Sequence, residues 1–274
     1  EWKCKAEKPS LSSDLFVELA SKIEQSVVTI SSSGRGGGPW GVGTGFVVDP
    51  SGIIATNFHV IGEHREFSME LADGRTCTPL EILAIDRSRD LALIKIDASG
   101  LVPIPLGDSD KIQAGESVLS MGNPLGYGLS VSRGVISAVR ELDFGDGRPM
   151  VQVAIPIESG SSGSPVVNQK GEVVAILTIK SGGAMGFGVP VNSLKNLLKE
   201  IDPIPIDQWL TIGMLDPAEW MHPLGGNWRQ RAGVIKASAM GNGFGGRMLC
   251  LSKETMLAIP FEIEADVRLQ DESG

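Results

Sequence analysis

Three short stretches of this 274-residue chain carry side chains suited to nucleophilic hydrolysis. That chemistry needs a hydroxyl, an imidazole to take its proton, a carboxylate to hold the imidazole tautomer, and backbone N–H groups for the developing oxyanion. The run Glu158-Ser159-Gly160-Ser161-Ser162-Gly163-Ser164-Pro165 lies between two strand-like runs, and its small residues let the backbone turn sharply and turn N–H groups outward. Alone, such a string reads as a flexible loop. The chain has only three histidines, and His59, in Ala55-Thr56-Asn57-Phe58-His59-Val60, is flanked by apolar residues, unlike His64 in the charged Glu63–Glu66 loop. Alone, a histidine on an apolar face reads as structural. Asp90, in Arg87-Ser88-Arg89-Asp90-Leu91-Ala92-Leu93-Ile94, directly precedes an apolar run, and alone it is a turn aspartate. Together they stand in the order His, Asp, Ser, each at the end of an apolar run, and that order matches one known triad topology.

The elements that must position them are short. Leu11, Leu15, Leu19 and Ile23 recur at i+4 and predict one amphipathic helix, opened by Ser12, Ser13 and Asp14. From Val27 the pattern changes to Val/Ile-rich runs closed by Gly, Pro, Asn or Asp: 27–31, 45–48, 53–56, 67–71, 81–85 and 91–96. A second set follows a Pro/Gly/Asp-rich linker over 102–113, at 117–121, 131–139, 150–155, 165–167, 173–178 and 186–189. Evenly spaced short strands predict barrels or sandwiches. Asn192 is expected to cap a closing helix over 193–201, with Leu194, Leu197, Leu198 and Ile201 on one face. The domain expectation is therefore a helical segment 1–26, a two-barrel unit 27–201 (about 27–108 and 114–201), and a C-terminal segment 202–274. That last part differs in composition: five of the nine Met and three of the five Trp fall in the final 72 residues.

Composition narrows the classes. Lys and Arg number 24 against 33 Asp and Glu, a formal charge of −9, and nucleic-acid binders run the other way. With 42% hydrophobic and 21% charged residues the chain is a packed globular protein. Glycine, 35 residues, is about twice its usual share of ~7%, which implies many positive-φ turns. Cys4, Cys77 and Cys250 are too few and too scattered for a disulfide framework or a four-ligand zinc site, so free thiols, no metal and no cofactor are expected. No apolar run reaches the ~18 residues of a membrane span.

The motifs together resemble the HtrA/Deg family of chymotrypsin-like (trypsin-like) serine proteases over about 27–201. Gly43-Thr44-Gly45-Phe46-Val47-Val48 followed by Ile54 to Val60 is similar to its histidine segment, and Asp90 to Ile96 to its aspartate segment. Gly122-Asn123-Pro124-Leu125-Gly126 resembles its Gly-Asn-Pro turn, Gly160 to Pro165 its nucleophile turn, and Gly186 to Asn192 the run into its closing helix. The resemblance implies an all-β fold of two six-stranded antiparallel barrels. It implies Ser162 as nucleophile, His59 as general base and Asp90 as orienting carboxylate, with the N–H groups of Gly160 and Ser162 as oxyanion hole. Ser161 stands where the family has Asn and Ser164 where it has a second Gly; a positive φ at 164 would strain the turn by about 1–3 kcal/mol.

The resemblance also implies a primary pocket shaped by Ile157, Ile179 and Lys180, suited to a small aliphatic side chain, with Lys180 either snorkelling away or favouring an acidic or polar neighbour. Substrate would add as a strand beside the 178–182 edge. Activation loops map to 123–130 and 140–149. The activity implied is an endopeptidase of protein quality control acting on unfolded or extended polypeptides, in a bacterial envelope or periplasm or, alternatively, an organelle. A chaperone-like or peptide-binding protein on the same fold is the other reading. A homo-trimer is implied, with Trp2 and Phe16 as exposed aromatics. Family members carry PDZ domains after the protease, and 202–274 is read as a divergent or truncated PDZ or as a β-rich appendage.

Overall fold

The computed structural model describes residues 12–33, 39–62, 66–142, 148–180 and 185–210, with short stretches at 212–214, 220–221, 227–231, 234–238 and 251–253. Helix α1 (Ser12–Glu24) precedes strands β1 (Val27–Ser33), β2 (Pro39–Asp49) and β3 (Ile53–Thr56), then a one-turn helix α2 (Phe58–Ile61). Strands β4 (Phe67–Leu71), β5 (Thr76–Cys77), β6 (Pro79–Asp86) and β7 (Leu91–Ile96) complete the first set. The second set is β8 (Ser117–Gly122), β9 (Ser130–Leu142), β10 (Arg148–Val153), β11 (Pro165–Asn168), β12 (Val173–Lys180) and β13 (Gly186–Pro190), followed by α3 (Val191–Leu197). Strand β14 (Ile204–Pro205) and α4 (Ile206–Leu210) come next.

The second set closes into a six-stranded barrel in the order β10-β13-β12-β11-β8-β9. Val118, Ile136, Val151, Val153 and Leu177 fill it. The first set does not form the expected closed six-stranded barrel; its seven strands, with β14 added at one edge, make an eight-stranded open sheet in the order β14-β6-β7-β3-β2-β1-β4-β5, a half-barrel. Two local features leave it open. Strand β5 has only two residues, and Pro79 at the start of β6 has no N–H to offer a neighbour. Chain from beyond the second barrel fills the gap: β14 pairs with β6 (Ile204 with Ile82, Pro205 with Glu81), and Trp209 of α4, fully buried, joins the core formed by Val28, Ile54, Met69 and Ile94.

A third apolar cluster joins the two sheets, with Phe46, Ala55 and Leu93 from the first meeting Leu119, Val167 and Ile176 from the second. Phe16, Leu19 and Ile23 of α1 pack into it. Phe16 is therefore buried, 7% exposed, with the Arg133 guanidinium 4.0 Å above its ring; it is not the exposed aromatic expected from the sequence. Trp2 lies outside the described residues. The linker is pinned to both sheets: Ile104 N–H donates to Val47 O at 3.0 Å, and Gly107 N–H to Val173 O at 2.8 Å. Asn192 does not cap α3. Its amide nitrogen donates instead to Asp108 Oδ1 at 3.0 Å, and Pro190 occupies the cap position.

The chain divides into two compact units, 1–211 with 231–233, and 212–230 with 234–274. In the second unit β15 (Ile212–Met214), β17 (Asn227–Arg231) and β18 (Val234–Ser238) form a sheet in the order β15-β17-β18, and β16 (Trp220–Met221) pairs with β19 (Leu251–Ser252). Among the described residues Cys77 is a buried free thiol. Cys4 and Cys250 lie outside them. No helix of the described residues is long and apolar enough to cross a membrane.

Candidate active site

His59 and Asp90 are brought together by neighbouring strands. β3 and β7 pair antiparallel, Thr56 opposite Ala92, so the residues just after β3 and just before β7 meet at one end of the sheet. His59 Nδ1 lies 2.6 Å from Asp90 Oδ2, and the His59 backbone N–H donates to Asp90 Oδ1 at 2.8 Å. The imidazole is half exposed and the carboxylate 27% exposed, so one end of the ring is held and the rest faces outward. Asp90 has φ +57, the left-handed region that side-chain residues seldom occupy. Its backbone carbonyl accepts from Asn57 Nδ2 at 2.9 Å and from Phe58 N–H at 3.2 Å.

Thr178 reaches the same carboxylate from the other barrel. Its hydroxyl donates to Asp90 Oδ2 at 2.5 Å. β12 carries a register shift between Leu177 and Ile179 where it pairs with β13, and Thr178 sits at that irregularity. Thr178 was missed from sequence; its only signal is a hydroxyl interrupting the apolar run from Val173 to Ile179.

The nucleophile turn is fastened at nearly every residue. Ser161 N–H donates to Glu158 O at 2.9 Å, Ser164 N–H to Ser161 O at 3.1 Å, and Gly163 N–H to Leu177 O at 2.8 Å. β2 ties it to the first sheet: Thr44 N–H donates to Ser162 O at 2.8 Å and Thr44 Oγ1 to Gly160 O at 2.7 Å. Two glycines are required. At Gly163, φ +84, an added Cβ would lie 1.9 Å from Thr44 O; at Gly160, φ +96, it would lie 2.1 Å from Asn123 O. Ser164 is not among the positive-φ residues, so the strain considered for a serine there does not arise.

The peptide between Ser159 and Gly160 has a defined orientation. The Ser159 carbonyl accepts from Leu125 N–H at 2.6 Å. In a planar trans peptide N–H and C=O point in opposite directions, so the Gly160 N–H is turned away from the Leu125 loop. Among the described residues neither this N–H nor that of Ser162 donates a hydrogen bond. Two donors are thus left unused at one turn, the requirement for an oxyanion site. Leu125 itself has φ +59, and Asn123 Oδ1 braces the loop by accepting from Gly128 N–H at 2.8 Å.

Ser162 is partly exposed on this turn, and among the described residues its hydroxyl makes no hydrogen bond, to the His59 ring or elsewhere. Ile157 is 3% exposed and packs into the second-barrel core. Ile179 and Lys180 pair through their backbones with Phe187 and Gly186, and among the described residues their other edge carries no strand. Residues 181–182 of the expected substrate edge and the tip of the second expected activation loop, 143–147, lie outside the described residues.

The trypsin-like peptidase domain family matches residues 43–176, the span that holds His59, Asp90 and the whole of the 158–165 turn; Leu177, Thr178 and the free edge of β12 lie just beyond it. A DegP-like periplasmic serine endoprotease of Pseudomonas putida is 37% identical over 168 residues, covering 58% of this chain and 35% of that protein. One of Pseudomonas fluorescens is 38% identical over 157 residues, covering 55% and 33%. The match therefore spans about a third of the length of these relatives. Among solved structures, an HtrA-type protease determined with a tripeptide superposes with a TM-score of 0.62 at 27% identity, over 68% of this chain and 62% of that one. The serine endoprotease of Yersinia pestis does so with a TM-score of 0.60 at 27% identity, over 71% and 67%. Motif order, barrel topology and these matches agree: residues 43–176 match the trypsin-like peptidase domain, and the chain is similar to the HtrA/Deg serine proteases.

Proposed function

We propose that the chain is a serine endopeptidase that cleaves unfolded or extended polypeptides through an acyl-enzyme, with Ser162, His59 and Asp90 as its triad. The observation that carries this reading is the 2.6 Å contact of His59 Nδ1 with Asp90 Oδ2. A carboxylate there accepts a hydrogen bond from Nδ1–H, which keeps the proton on Nδ1 and leaves Nε2 with a lone pair, the tautomer a general base needs. Ser162 Oγ attacks the scissile carbonyl while His59 Nε2 takes its proton, and the Gly160 and Ser162 N–H groups receive the oxyanion. His59 then gives the proton to the leaving amine. Water repeats the sequence in reverse to release the acid and restore the hydroxyl. The Ser162 to His59 bond, absent at rest, tightens as substrate fills the site, as such bonds do in other enzymes.

Substrate backbone adds to the unpaired edge of β12 at 178–180, a mode that reads main chain and suits extended polypeptide. The first side chain on the acyl side is small and aliphatic, as the family resemblance at Ile157, Ile179 and Lys180 implies. The compartment is the envelope or periplasm, as in the relatives named above, and the role is protein quality control.

Labelling with a fluorophosphonate tests nucleophile, base and oxyanion donors together. Wild type labels at Ser162 and degrades an unfolded casein-like substrate; Ser162→Ala does neither and keeps its thermal unfolding transition. A wild type that neither labels nor cleaves overturns the reading.

A further inference from the structure

Asn57 occupies the N-cap position of α2, and asparagine is a favoured capping residue. Its side chain makes no capping bond. It is fully buried, its Nδ2 donates to the backbone carbonyl of Asp90 at 2.9 Å, and its Oδ1, buried as well, has no hydrogen-bond partner among the described residues. A buried amide with an unpaired oxygen is less favourable than an apolar side chain of the same shape. Asn57 is therefore a poor choice for stability, and what it contributes is directional.

The direction is set at Asp90. Its φ of +57 is a conformation that must be held from outside. Asn57 Nδ2 and Phe58 N–H take its carbonyl, and His59 N–H takes Oδ1. With those atoms engaged, Oδ2 is the oxygen left for His59 Nδ1 and the Thr178 hydroxyl. Three consecutive residues, 57 to 59, thus grip one aspartate at both its main chain and its side chain. The Asn57 bond is the only one of the three that depends on side-chain identity.

We propose that Asn57 is a positioning residue for the reaction: by holding the Asp90 carbonyl it fixes the left-handed backbone at 90 and so aims Oδ2 at His59 Nδ1. This rests on the endopeptidase reading above. Without the amide, the peptide after Asp90 is held by Phe58 N–H alone, the carboxylate swings, and the imidazole loses its fixed tautomer and tilt.

The test uses the full chain and the variants Asn57→Leu and Asn57→Ala. Four quantities are measured: thermal unfolding, kcat and KM on an unfolded substrate with active sites counted by fluorophosphonate, and the low-field proton resonance of the His59 to Asp90 bond. Asn57→Leu is expected to unfold at or above the wild-type temperature, to keep KM within about twofold, and to lose roughly tenfold or more in kcat, with the resonance shifted or broadened. A folded Asn57→Leu with unchanged kcat per labelled site and an unchanged resonance overturns the proposal. So does a loss of stability and activity together in both variants with normal kcat per active site, which is the signature of a purely structural residue. If wild type neither labels nor cleaves, the endopeptidase reading fails by itself, and the resonance in wild type and Asn57→Leu still decides whether Asn57 aims Asp90.

Discussion

The hydroxyl of Thr178, on a strand of the closed barrel, donates to Asp90 Oδ2 at the mouth of the open sheet over 2.5 Å. The carboxylate that holds His59 is thus anchored from both halves of the protease unit, and the contact ties the geometry of the site to the docking of the two sheets. Thr178→Val keeps the shape and removes the donor. A hydrogen bond to a charged group is worth about 1.5–3 kcal/mol, so kcat/KM is expected to fall by roughly ten- to a hundredfold, with Thr178→Ser restoring most of it. Steady-state kinetics on a peptide substrate reads this out, and unchanged kinetics in the valine variant would contradict it.

Gly160→Ala probes the oxyanion donors. The added methyl would meet Asn123 O, and φ +96 is unfavourable for alanine, so the turn must shift and carry the Gly160 N–H with it. Loss of one such donor costs about 10²–10³ in kcat, with KM little changed. Fluorophosphonate labelling should slow in proportion. Labelling at the wild-type rate would show that this N–H is not part of the site.

The rate is also expected to fall on acidification along a single-proton limb, since an imidazolium cannot accept the serine proton. Comparing this limb in wild type and in Thr178→Val, at equal active-site counts, shows whether it belongs to the His59 and Asp90 pair. A rate independent of pH across the neutral and mildly acidic range would count against His59 as base.

A separate acid sensitivity resides in the linker. Asp108 is held well below the usual carboxylate range by the Asn192 side-chain bond first, then by Lys111 and the Asp110 backbone N–H. A carboxyl whose folded value is depressed stabilises the fold fully above its unfolded value, about 3.9, and loses that contribution as pH falls toward the lower folded value. The difference in unfolding midpoint between wild type and Asp108→Ala should be present at neutral pH and shrink below about pH 4. Denaturant unfolding at a series of pH values measures it. A difference that does not vary with pH would rule out the charge as its source.

Much of the site was legible because backbone sterics restrict residue type. Gly160 and Gly163 sit at positive φ against carbonyl oxygens where no Cβ fits, and such positions leave a mark in any sequence. Asp90 and His59 announce themselves by falling at the ends of buried strands. Thr178 left almost no mark, because its role depends on an irregularity in β12 that places its hydroxyl across the barrel interface. Phe16 departs from expectation for a related reason: its burial comes from an apolar cluster whose other members, such as Leu119 and Met121, lie over a hundred residues away. The open first sheet was the largest departure. Residues 204–210 carry too short an apolar pattern to be read as an element, yet they complete a core laid down by β1 to β7.

Removing that completion should be costly. Trp209 is fully buried, its ring edge-on to Phe58 at 6.4 Å. Trp209→Ala is expected to lose about 3–5 kcal/mol, and Trp209→Phe much less, because the indole Nε1 has no hydrogen-bond partner among the described residues to forfeit. Thermal unfolding ranks the two, and equal midpoints would mean that the segment does not pack on the sheet in solution.

Synthesis runs from the N-terminus, and early parts of a chain can fold while later parts are still being made. The sheet that holds His59 and Asp90 cannot fold in that order, because its core awaits Trp209 and its carboxylate awaits Thr178. The core and the carboxylate anchor of the first hundred residues are therefore completed only when the second barrel and α4 have emerged. The candidate site draws on both sets of strands, so its geometry is complete only once both have folded.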